Sequence, residues 1–111
     1  MSRTERTPPD DEALRELRAD FRKRLPDRVG AVVAALGDAR ARPDEPERLA
    51  EARRLAHALK GTASSYGFAE IGASFEAVEE ALGALAGSAA DPRAAWAAID
   101  AALARARAAL G

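Results

Sequence analysis

The stretch RRLAHALKGTASSYGF, residues 53 to 68, carries the only histidine of the chain, His57. A neutral imidazole offers a nitrogen lone pair at physiological pH. Lys60, one helical turn further on, can place a cation beside a negatively charged group carried on that ring. Gly61 follows, and inside a helix glycine costs about 1 kcal/mol relative to alanine, in a chain that uses alanine freely elsewhere. Its missing side chain leaves the flank of the imidazole open to an approaching molecule. A nitrogen nucleophile, a cation and an open flank suit phosphoryl transfer through histidine.

The helix that must carry these residues shows its inner face plainly. Leu49, Ala52, Ala56, Leu59, Ala63 and Tyr66 repeat at steps of three and four, a heptad seam. At roughly 100° per residue, His57 lies about 200° from Leu59 and faces outward. Arg53, Arg54, Lys60, Gly61 and Ser64 share its side of the helix. A lone surface histidine needs no function, and the glycine is what weighs against that bland reading.

Three further segments can complete a core around the seam. Leu14, Leu17, Phe21, Leu25, Val29, Val32 and Leu36 follow helical spacing after the acidic start Asp10, Asp11 and Glu12. Pro26 predicts a kink or break near Leu25, and Gly37 a stop. Asp44 with Glu47 reads as a capping box. Gly67 is the turn after the histidine helix. Ile71, Phe75, Val78, Leu82 and Leu85 make the next seam. Asp91-Pro92 then supplies an N-cap and a first-turn proline ahead of Trp96, Ile99, Leu103, Ala106 and Leu110. The expected fold is all-α. It is an up-and-down antiparallel four-helix bundle over residues 10–111, with a short or kinked additional N-terminal helix and a disordered tail at residues 1–9.

Bulk properties narrow the chemistry. The 111 residues are 48% hydrophobic and 32% charged, with a formal net charge of -1, so no strong field marks a nucleic-acid or membrane binder. There is no cysteine, and one histidine with scattered carboxylates offers no transition-metal ligand set. No Gly-rich nucleotide loop of the form GxxxxGK[ST] is present, so neither ATP binding nor autophosphorylation is expected. A cytoplasmic location is the default, and the initiating methionine with its short tail favours a free-standing chain.

The segment AHALKGTASSYG resembles the phosphoacceptor motif of histidine-containing phosphotransfer (HPt) domains, His-x-hydrophobic-Lys-Gly followed by small residues. FRKRLPDRVGAVVAAL and FAEIGASFEAVEEAL resemble the helices on either side, so the likeness runs over residues 12–110. The resemblance implies that His57 is phosphorylated on Nε2, that Lys60 helps neutralise the phosphoryl group, and that Gly61 keeps the approach clear. It also implies a polar residue from the following helix on the other ring nitrogen. If the two helices form a hairpin turning at Gly67-Phe68, Glu79 lies as far after Phe68 as His57 lies before it. Glu79 is then the partner of His57 Nδ1, with Glu76 and Glu80 as neighbouring alternatives.

The implied partners are response-regulator receiver domains, including that of a hybrid histidine kinase, each bringing its own Mg²⁺. The protein itself is expected to hold no cofactor and to be a monomeric phosphocarrier. Arg53, Arg54, Gly61 and Ser64 are candidate docking residues, with Leu14 and Leu17 of the first helix; simple core is the alternative for the two leucines, and permissive packing for Ser64. Two rival readings stand beside this one. The first is a scaffold module that docks a partner through the His57 face without phosphorylation. The second is a dimeric phosphotransferase that builds a bundle from two chains.

Overall fold

The computed structural model describes residues 3–87 and 91–111, with side chains from residue 11 onward. Four helices follow one another, α1 (Arg3–Ala41), α2 (Pro46–Ser65), α3 (Ala69–Ala86) and α4 (Pro92–Leu110), and the described residues contain no strand. Successive helices pack side by side as the antiparallel bundle expected from the seams. The core is the sum of those seams: Phe21, Leu25, Val29, Val32 and Leu36 from α1, Ala52, Ala56, Leu59 and Ala63 from α2, Ile71, Phe75, Val78 and Leu82 from α3, and Ile99, Ala102, Leu103 and Ala106 from α4.

Two local expectations are corrected. The break near Leu25 and the stop at Gly37 do not occur, nor is there a separate N-terminal helix; α1 runs without interruption through Pro26, Gly30 and Gly37 to Ala41. Pro26 faces solvent, so the Arg22 carbonyl that loses its amide partner can be hydrated. An internal proline costs about 3 kcal/mol. Burying Leu25 and Val29, at about 1.5–3 kcal/mol each, already offsets that. The capping box of Asp44 and Glu47 does not form either. Glu45 is the N-cap of α2 and makes no side-chain cap bond, because Pro46 occupies the first helical position and starts the helix there by its own fixed φ. Asp91 does cap α4, accepting from the Arg93 amide at 3.1 Å. The segment read as a disordered tail, residues 1–9, is entered by α1 at Arg3; Met1 and Ser2 lie outside the described residues.

α1 is fastened at two levels. Phe21 stacks on Tyr66 and Phe68 at centroid distances of 5.0 and 5.7 Å, with the Arg18 guanidinium over Phe68. Near its other end, Arg40 lies over the Trp96 ring and pairs with Asp100 at 3.2 Å. Between these clamps α2 and α3 are held as one hairpin.

The hairpin turn is set by one residue. Gly67 adopts φ +84°, its amide bonds to the Ser64 carbonyl, and the Phe68 amide reaches back to the Ala63 carbonyl at 2.9 Å. This is a Schellman closure, which needs a left-handed residue at that position. Gly67→Ala is expected to cost about 1–2 kcal/mol in urea denaturation, from the steric penalty of a β-carbon in that conformation.

Candidate functional site

The turn at Gly67-Phe68 makes the α2–α3 seam a mirror about Phe68. Residues equally far from Phe68 face each other: Ser64 opposite Gly72, His57 opposite Glu79, and Arg53 opposite Gly83. The contacts bear this out at all three levels. His57 Nδ1 is 2.8 Å from Glu79 Oε2. A β-carbon on Gly72 would collide with the Ser64 hydroxyl, and one on Gly83 would lie 3.0 Å from an Arg53 guanidinium nitrogen. The helices are closest where α3 lacks side chains, and Glu79 stands between the two notches.

Of the three candidate glutamates, Glu79 is the one on the ring. Its second oxygen, Oε1, accepts from Lys60 Nζ at 3.1 Å, so one carboxylate joins the histidine and the lysine. Glu79 is 21% exposed, Lys60 29% and His57 66%. With a carboxylate as its partner, Nδ1 must carry the hydrogen and donate it. Nε2 then keeps its lone pair, on a ring that stands in solvent. Burial resists ionisation of Glu79, but the hydrogen bonds from Lys60 and His57 outweigh it and hold the carboxyl below the usual glutamate range.

The other sequence-derived candidates fall into distinct places. A β-carbon on Gly61 would meet nothing within 4 Å, so the helix surface beside the ring is open. Arg54 is held by Glu51 through two bonds of 2.7 and 3.0 Å on the outer face of α2. Arg53 turns instead toward α3. Ser64 puts its hydroxyl into the α2–α3 seam at Gly72. Leu14 and Leu17 are exposed, 52% and 50%, and are not core. They lie on the part of α1 that precedes the Phe21 clamp, beyond the α2–α3 turn, and Leu17 is about 20 Å from His57 along the bundle axis at 1.5 Å per residue.

An open groove of about 670 Å³ starts at His57 and Glu79 and runs between α2, α3 and the start of α4. Leu49, Leu85 and Trp96 line it, and Arg53 and Arg54 reach it from α2. Gly72 and Gly83 escaped the sequence reading. Their signal was available, since both lie on the Glu79 stripe at steps of seven and four and mirror Ser64 and Arg53 about Phe68.

Residues 16–109 match the family model of the Hpt domain. Over 90 residues of a 111-residue bundle are thus accounted for, and the chain belongs to the Hpt domain family. Comparisons with curated proteins and with solved structures gave no match. Membership carries phosphotransfer in two-component signalling, with response-regulator receiver domains as the interacting class. Among the described residues, no helix is long and apolar enough to cross a membrane.

Because the folded Glu79 carboxyl titrates below its unfolded value, its stabilising contribution is complete above the ordinary glutamate range and disappears as pH falls through the lowered value. Glu79→Gln is therefore expected to be less stable than wild type at neutral pH, with the difference closing in acid. Urea melts at both pH values measure it. The same variant should also relax the His57 tautomer preference seen in ¹⁵N spectra.

Proposed function

We propose that this protein is a phosphorelay intermediate that carries a phosphoryl group on His57 Nε2 between receiver aspartates. The observation that supports this most is the 2.8 Å contact of Nδ1 with Glu79, which leaves the opposite nitrogen nucleophilic on an exposed ring. A receiver presents an aspartyl phosphate with its own Mg²⁺, and the His57 lone pair attacks phosphorus in line. The N–P bond forms as the P–O bond to the aspartate breaks, and the electron pair leaves on that carboxylate. The ring is then cationic, and Glu79 holds it through the Nδ1 hydrogen. Transfer to the next receiver reverses these steps.

Positioning and charge are what this chain contributes. His57, Lys60 and Glu79 form the reacting group. Gly61 and the open helix surface around it admit the partner. Arg53 and Arg54 are cations for an acidic receiver face, and Leu14 and Leu17 are apolar contacts at the end of the bundle. Ser64 belongs to docking only through the close approach it permits. The chain acts as a carrier in the cytoplasm, as a monomer, with a hybrid histidine kinase receiver among its partners.

Incubation with a phosphorylated receiver is expected to label the protein with acid-labile, base-stable phosphate. Wild type labelled no better than His57→Gln would favour a module that docks without phosphorylation. Gly61 supplies a second test. Gly61→Ala should raise helix stability by about 1 kcal/mol, since the new methyl meets nothing in its own chain. Gly61→Leu should fold equally well but accept phosphate from a receiver more slowly. Equal rates for Gly61→Leu and wild type would remove Gly61 from the docking surface.

A further inference from the structure

The charges at His57 do not balance once it is loaded. Glu79 contributes one negative charge, and Lys60, bonded to it at 3.1 Å, offsets that charge. The cationic loaded ring adds one positive charge, but a phosphoryl group brings about 1.5 to 2 negative charges and three acceptor oxygens. Lys60 is shared, since part of its charge answers Glu79 and only its remaining donors can turn to those oxygens. Arg54 is bound to Glu51.

Arg53 is differently placed. It lies one turn before His57, where side chains four apart are neighbours on a helix surface. It has no ion-pair partner among the described residues. The three atoms nearest to a β-carbon on Gly83 are its guanidinium Nη2, Cζ and Nε, at 3.0, 3.3 and 3.7 Å. Gly83 thus opens a seat in α3, and the guanidinium lies along the groove that His57 and Glu79 also line. A β-carbon at position 83 would press the guanidinium outward, and a side chain reaching beyond it would displace it. Arg42 lines the same groove, but from the α1–α2 connector, with Pro43 and Glu45.

We propose that Arg53, seated by Gly83, is the second cation of the phosphoryl site and binds the phosphoryl oxygens during transfer and in the loaded state. This rests on the reading of His57 as phosphoacceptor, and it assigns Arg53 to the reacting group rather than to partner docking alone. The planar guanidinium can donate two parallel bonds to such oxygens. Its place one turn before the ring, opposite Lys60, leaves the Glu79 bridge intact. Gly83 acts through Arg53 and is a positioning residue.

The test needs no receiver. Phosphoramidate donates its phosphoryl group directly to imidazole: the Nε2 lone pair attacks phosphorus, the P–N bond breaks, and ammonia leaves with the electron pair. Arg53→Ala is expected to slow labelling of His57 about tenfold, the loss of one charge-assisted contact to the transition state. Arg53→Lys should recover part of the rate. Gly83→Leu keeps the charge but fills the seat, and should also slow labelling, while a cooperative urea transition and the His57 ¹⁵N tautomer signals are retained. Arg42→Ala is the control and should label at the wild-type rate. If wild type does not label on His57 at all, the phosphoacceptor reading fails. If wild type labels and Arg53→Ala matches it within twofold, only the Arg53 assignment falls. Slow transfer from a receiver combined with normal labelling by phosphoramidate would also overturn it, by restricting Arg53 to docking.

Discussion

The register between α2 and α3 is the constraint on which the site depends. It is fixed at Gly67, whose left-handed backbone closes the Schellman turn, and it propagates outward at one residue per residue. A slip of one position on α3 would rotate Glu79 by roughly 100° about its helix and take it off the ring. Nothing on α2 could replace it, since the acidic residue of that helix nearest to His57, Glu51, is bonded to Arg54. The geometry around the exposed His57 is thus determined by a turn ten residues away. The Phe21–Tyr66–Phe68 cluster explains how that turn stays in place. It ties the α2–α3 corner to α1, while Arg40, Trp96 and Asp100 tie α1 to α4.

Within that frame Glu79 does two jobs with one carboxylate. Oε2 orients the imidazole and Oε1 holds Lys60. An isolated exposed ion pair contributes little, because water screens it and both side chains lose freedom. Here the carboxylate is mostly sheltered, and both partners reach it from α2 at a spacing of three residues. The arrangement is neutral with a neutral imidazole. The ring is therefore held by a directed bond, without a local excess of positive charge that would attract anions indiscriminately.

The seams were legible because burial imposes a period, and the period survives weak residues. The same fact explains the misreadings. Pro26 and Gly37 are strong local signals, and they lost to a continuous stripe from Phe21 to Leu36 whose burial outweighs them. Asp44 and Glu47 had capping-box spacing, but Pro46 starts the helix at a position the box does not allow. Leu14 and Leu17 fit the α1 period and yet are half exposed; periodicity says which face a residue is on, not whether anything covers it. Glu79 was legible because a symmetric turn converts sequence distance into contact. Gly72 and Gly83 escaped because a glycine in a helix registers only as a weak residue until the opposite helix is placed.

The glycines also separate what the fold explains from what it does not. Gly72 and Gly83 each carry the helix cost of a missing β-carbon, and each recovers something inside the molecule, a Ser64 hydroxyl in one case and a guanidinium seat in the other. Gly30, Gly37 and Gly61 face open space and recover nothing there. Open space alone does not assign a role, since Gly30 and Gly37 lie on a 39-residue helix whose buried stripe easily absorbs their cost. Gly61 differs by position. It sits one turn beyond His57, on the same exposed face, beside the ring that the proposed partner has to reach. Its cost has no return in contacts within this chain, and under the proposed function the return lies in what approaches the ring from outside.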